Sequence, residues 1–96
     1  MRLSPREIDV IRSSVLKLDP TAKIYLYGSR TQDHLKGGDI DLLVISEHIQ
    51  FSDRITILTD ILFQIGEQKI DLLIQTRSAS IADEFVQNIL KSAILI

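Results

Sequence analysis

Ile40-Asp41-Leu42-Leu43 recurs thirty positions later as Ile70-Asp71-Leu72-Leu73, with a helical pattern between the two copies. The first copy opens a run, Ile40 to Ile45, that is too apolar for a strand with one wet face. It reads as a central strand covered on both sides. The second copy lies in Lys69 to Gln75, the next strand. Two strands joined by a crossover helix run parallel and are expected to be neighbours, so the matched patterns set Asp41 and Asp71 side by side. An acidic pair on one sheet face needs a reason.

The helix between the copies is expected to be capped by Ser52, to bury Ile55, Leu58, Leu62 and Ile65 on one face, and to end at Gly66. Upstream, Lys23 to Tyr27 reads as a strand ended by Gly28 and Ser29. Arg30 to Leu35 is expected to form a helical turn before the Gly37 and Gly38 pair, which permits positive φ and a change of direction. Ser4, Pro5 and Glu7 make a capping box for a first helix reaching about Leu18, with Ile8, Ile11, Val15 and Leu18 at helical spacing. Asp19 and Pro20 stop it. From about Ser80 a last helix carries Ala82, Phe85, Val86, Ile89 and Leu90 on one side. The apolar tail Ala93 to Ile96 serves as a short added strand or as a contact for another chain. The order is that of an α/β fold: a small mixed sheet of three strands, or four if the tail adds one, packed with about four helices.

The chain has 96 residues, 45% apolar and 25% charged. That is enough for one domain over 1–96 with a single core, and small enough that a partner subunit, the same chain or another, is expected. Eleven Lys and Arg against thirteen Asp and Glu give a formal charge of −2 with no long run of either sign. Such a balance lacks the basic stripe that phosphate-backbone binding requires, so direct nucleic-acid binding is not expected. With no cysteine, disulfides, thiolate zinc sites and cysteine nucleophiles are excluded, and a cytoplasmic location fits. Charges interrupt the start of the chain as no signal peptide would allow, and no apolar run is long enough to span a membrane.

Asp39 and Asp41 lie two apart on a strand, so their side chains share a face with Cα atoms roughly 6.5 Å apart. Like charges that close resist joint ionisation unless a cation compensates them. A hard divalent ion such as Mg²⁺, which takes oxygen ligands from carboxylates, water and phosphates, is the natural compensator. With Asp71 there are three carboxylates, enough to hold two ions about 3.5–4 Å apart, the arrangement for in-line phosphoryl or nucleotidyl transfer. Gly28 and Ser29 follow a strand where free backbone N–H groups can receive an anion, and Gly28 admits a phosphate to the main chain. The Ser29 hydroxyl and the Arg30 guanidinium can donate to phosphate oxygens. His34 and His48 lack partners at metal-ligand spacing and read as solvent-exposed; Tyr25 and Tyr27 read as packing residues and Lys36 as a surface lysine. No serine, histidine and acid arrangement for acyl transfer can be assembled.

Tyr27-Gly28-Ser29-Arg30, followed by Gly38-Asp39-Ile40-Asp41-Leu42-Leu43, resembles the signature of the DNA polymerase β-type nucleotidyltransferase superfamily, and the length is similar to that of its minimal nucleotidyltransferases. The resemblance covers nearly the whole chain and implies the nucleotidyltransferase fold. It implies that Gly28, Ser29 and Arg30 bind the nucleotide, that Asp39, Asp41 and Asp71 hold magnesium, two ions in all, and that Asp71 assists deprotonation of the acceptor hydroxyl. Asp33 and Gly38 stand where the family often has glycine and serine, and Thr31 and Gln32 lack the second arginine of many relatives. The implied reaction is Mg²⁺-dependent transfer of a nucleoside monophosphate, AMP from ATP, onto a hydroxyl. Larger relatives place small acceptors with an added domain. Here the acceptor is expected on a partner protein, similar to the helical HEPN toxins that minimal relatives, as antitoxins, modify on tyrosine. The alternative, motivated by Asp33 in the phosphate loop and by the apolar tail, is a non-catalytic subunit that acts on a helical partner by contact.

Overall fold

The computed structural model describes residues 1–32 and 38–96. The elements run α1 (Pro5–Leu16), β1 (Lys23–Tyr27), a 3-10 turn (Gly28–Thr31), β2 (Ile40–Ile45), a second 3-10 turn (Phe51–Asp53), α2 (Arg54–Ile65), β3 (Ile70–Gln75), α3 (Arg77–Ala82), α4 (Glu84–Leu90) and β4 (Ile94–Leu95). The four strands form one mixed sheet in the order β3-β2-β1-β4. β2 and β3 pair in parallel with Ile40 opposite Ile70 and Asp41 opposite Asp71, as the repeated tetrapeptide implies. β1 is antiparallel to both β2 and β4, so the tail is an edge strand, with Leu95 opposite Tyr25. The turn at Gly37, and the side chains of Asp33, His34 and Lys36, lie outside the described residues.

Strand alternation divides the core in two. Ile24, Leu26, Ile40, Leu42, Val44 and Leu72 point to one face, where they pack with Val10, Ile11 and Val15 of α1 and Ile57 and Ile61 of α2. Ile11, Leu26, Leu42 and Ile61 are 0% exposed, and each such side chain contributes roughly 1.5–3 kcal/mol through removal from water. On the opposite face Leu43 packs with Val86 and Ile89 of α4, flanked by Tyr25, Tyr27, Ile45 and Leu73. β2 is thus covered on both sides. The two tyrosines are packing residues, as their alternation with Leu26 suggested.

The local signals hold at α1. The Ser4 hydroxyl accepts from the Glu7 N–H at 3.1 Å, the Glu7 carboxylate accepts from the Ser4 N–H at 2.9 Å, and Pro5 occupies the first helical position. Ser4→Ala is expected to cost about 1 kcal/mol, read as a lower denaturation midpoint at unchanged m-value. The helix stops at Leu16, two residues short of the expected end, and leaves Leu18 37% exposed. Asp19 beyond it is buried, accepting from the Thr21 N–H at 2.9 Å, the Thr21 hydroxyl at 2.7 Å and the Ser46 hydroxyl.

Three expectations are corrected. Ser52 does not cap α2: the chain enters through the 3-10 turn, in which the Asp53 carboxylate accepts from the Gln50 N–H at 2.8 Å, and the helix begins at Arg54. The buried stripe centres on Ile57 and Ile61, with Leu58 and Ile65 packed partly buried beside them as expected, and Ile55 is 73% exposed. The last helix is two helices. Asp83 adopts an extended conformation between α3 and α4, caps α4 by accepting from the Val86 N–H at 3.2 Å, and accepts from Gln75 Nε2 at 2.9 Å, which ties the break to β3. Phe85 consequently faces solvent at 61% exposure. The helical turn expected over Arg30 to Leu35 is a 3-10 turn over Gly28–Thr31 that ends before an extended Gln32; residues 33–35 lie outside the described residues.

Candidate active site

β1 ends where β2 and β3 begin, so one rim of the sheet collects the bend after β1 and the first residues of the other two strands. The register sets Tyr27, Asp41 and Asp71 in a row across three adjacent strands, all on the α4 face. Gly28, at φ +76°, lies against Asp41 so closely that a Cβ there would overlap the Asp41 carboxylate. Gly38, at φ +87°, lies in the same way against the Ser29 hydroxyl. Both glycines therefore serve close approach as well as backbone freedom. The bend and the carboxylates meet at one rim.

The charges explain how the carboxylates are arranged. Asp41 is partly buried between two other acids, and burial first, then Asp71, then Asp39, push its carboxyl above the ordinary carboxylate range, with Lys69 opposing them. Burial, followed by Asp71 and Asp41, also raises the Tyr27 phenol. The outer two acids have cations of their own. Lys69 Nζ stands 3.6 Å from Asp39 Oδ2, and Arg54 Nη2 stands 3.9 Å from Asp71 Oδ1. Among the described residues no three acidic or histidine side chains are gathered as a metal site. The donor set nonetheless fits a hard divalent ion: carboxylate oxygens only, two on adjacent strands and one on the residue before β2, with like-charge crowding at Asp41 that a cation relieves.

Arginine side chains build the bend. Arg2 donates from Nη2 to the Ser29 carbonyl and from Nε to the Gln32 carbonyl, each at 3.1 Å, and its N–H donates to the Arg30 carbonyl at 2.8 Å. Arg30 donates from Nη1 to the Arg2 carbonyl at 2.8 Å and from Nε to the Gly38 carbonyl at 3.3 Å. The Thr31 hydroxyl donates to the Gly28 carbonyl at 2.7 Å. This clasp joins the exit of β1 to the residue before Asp39. Arg30, expected at the nucleotide, thus spends two donors on the backbone.

Sequence reasoning missed Arg2, whose partners lie 27 to 30 residues away, and Arg54. Lys69 was missed too, although the parallel register that the repeat implies makes it the counterpart of Asp39; its carbonyl accepts from the Ile40 N–H at 3.0 Å. His48 is exposed. A cavity of about 440 Å³, lined by Lys23, Tyr25, Ile45, Arg77, Ser80 and Gln87 among others, lies at the other end of the same sheet face and includes none of the three acids. The candidate site is the open rim.

Compared with models of protein families, residues 9–96 match the one described as Polymerase beta, Nucleotidyltransferase. No curated protein matches the chain. Among the described residues no helix is long and apolar enough to cross a membrane.

Proposed function

The chain belongs to the polymerase β nucleotidyltransferase family, and from that premise we propose that it transfers AMP from ATP to a hydroxyl on a partner protein, with Asp39, Asp41 and Asp71 as the magnesium-binding acids. The observation that carries this reading is the placing of Asp41 beside Asp71 in parallel register, at the rim where Gly28 closes on the Asp41 carboxylate.

Gly28 and Ser29 receive the polyphosphate: the glycine exposes main chain to it and the serine hydroxyl donates to a phosphate oxygen. Arg30 acts here mainly by holding the bend. Magnesium, when bound, neutralises phosphate charge and makes the acceptor hydroxyl more acidic. Asp71, 65% exposed at its side chain on the outer strand, is open to an incoming acceptor and takes its proton. The acceptor oxygen then bonds to the α-phosphorus, the α–β anhydride bond breaks, and pyrophosphate leaves. A helical HEPN-type toxin presenting a tyrosine is the acceptor that the family resemblance favours. The reading of the chain as a contact-only subunit loses one support, because the tail is used within the sheet: the Ile96 N–H donates to the Ile24 carbonyl at 2.9 Å, and Arg12 Nη1 donates to the Ile96 carbonyl at 2.8 Å.

The test uses ATP labelled at either end, with Mg²⁺ and the protein encoded beside this chain. The α-label should appear on the partner and the γ-label only in pyrophosphate. Transfer of the γ-label would mean phosphoryl transfer, and transfer by Asp39→Ala at the wild-type rate would remove the assignment. Because Arg2 orders the bend without reaching the carboxylates, Arg2→Met is expected to raise KM for ATP about tenfold and leave kcat within about twofold, the signature of lost uniform binding.

A further inference from the structure

The repeated tetrapeptide is preceded by Asp39 in one copy and Lys69 in the other. Parallel pairing of Ile40 with Ile70 makes these two residues neighbours across the strands. Their side chains meet at 3.6 Å, with Lys69 83% and Asp39 45% exposed. At the next acid along the rim, Arg54 Nη2 stands 3.9 Å from Asp71, and the same guanidinium donates from Nε to the Leu72 carbonyl at 2.9 Å. Arg54 is thereby anchored to the outer edge of the sheet. Lys69, on a flexible stem and mostly in solvent, is the movable one.

Resting on the reading of these acids as the metal-binding set, we propose that Lys69 is a tethered cation that competes with the divalent ion for Asp39. Its ammonium occupies the charge position that the ion must take, so the metal-free rim is already compensated at Asp39, and at Asp71 by Arg54. Loading is then an exchange of cations: the divalent ion takes Asp39, and Lys69 is released into solvent beside the bound nucleotide.

The test measures Mn²⁺ alone, by calorimetry without nucleotide, on the wild-type protein, Lys69→Met and Lys69→Arg. An exposed ion pair of this kind is worth a few tenths to 1 kcal/mol, so Lys69→Met should bind Mn²⁺ about two- to fivefold more tightly at low ionic strength. Lys69→Arg, which keeps the charge, should stay near wild type. The ratio between Lys69→Met and wild type should approach one near 1 M salt, where the screening length falls to about 3 Å. A merely structural lysine would not produce that salt dependence. Equal or weaker Mn²⁺ binding by Lys69→Met, in a protein that does bind Mn²⁺, overturns the competition and leaves the metal reading standing. No binding by any of the three proteins overturns both.

Discussion

Asp41→Asn is expected to stop nucleotidyl transfer, lowering kcat by about a thousandfold or more, while raising the melting temperature of the metal-free protein. The loss follows from position. The Asp41 carboxylate bears the charge of both Asp71 and Asp39, and losing metal-centred charge stabilisation of about 4 kcal/mol amounts to three powers of ten. The gain follows from the same crowding. Burial, Asp71 and Asp39 hold the Asp41 carboxyl above the usual range, so the folded chain binds that proton more tightly than the unfolded chain does. Stability therefore falls as pH rises from the unfolded carboxylate value through the raised folded one, and the whole penalty is present at neutral pH. Asparagine carries no charge and escapes it. Melts in EDTA should place Asp41→Asn above wild type at neutral pH, with the gap closing as pH falls below the unfolded aspartate value of about 3.9, where the wild-type carboxyl is protonated in both states. A lower melting temperature at neutral pH would contradict this electrostatic account.

Gly28→Ala is expected to separate activity from stability in a different way. The new methyl group would overlap the Asp41 carboxylate, which is the far end of a side chain and can swing aside, and it would sit on a residue at φ +76°. The fold therefore loses about 1–2 kcal/mol, mostly from forcing a left-handed conformation on a non-glycine residue. The chemistry loses more: the displaced carboxylate and the blocked approach to the main chain together should lower kcat/KM by about a hundredfold or more, as misplacements near 1 Å do. A denaturation midpoint and a rate measured on the same preparation check both halves. Retention of wild-type kcat/KM would mean that Gly28 touches neither phosphate nor a working Asp41.

The parts of the fold that were legible are those where one residue type carries a local or periodic rule. Ser4, Pro5 and Glu7 announce α1 because a capping box satisfies donors only a few residues away. The repeat at Ile40 and Ile70 announces the parallel pair, and with it the neighbouring acids, because strand register follows the apolar pattern. What was not legible depended on geometry a few residues long or on partners far away. At α2, the 3-10 turn takes up Ser52, and the fully buried positions are Ile57 and Ile61, with the expected Leu58 and Ile65 partly buried and Ile55 exposed. At α3 and α4, apolar spacing ran on through Asp83, although an aspartate three residues before Val86 is itself a capping signal. At the candidate site, Gly28, Ser29, Asp39, Asp41 and Asp71 fall at one rim, as strand direction required. The arginine clasp of Arg2 and Arg30 could not be read from spacing, since nothing in a linear pattern pairs residue 2 with residues 29 and 32.

The acids and the glycine-serine bend should bind divalent metal and triphosphate together. Calorimetric titration of the protein with ATP, once with Mg²⁺ and once with EDTA, tests it without any acceptor. Saturable binding that needs Mg²⁺ and disappears in Asp41→Asn is expected. ATP binding of equal strength in EDTA, or undiminished in Asp41→Asn, would contradict it.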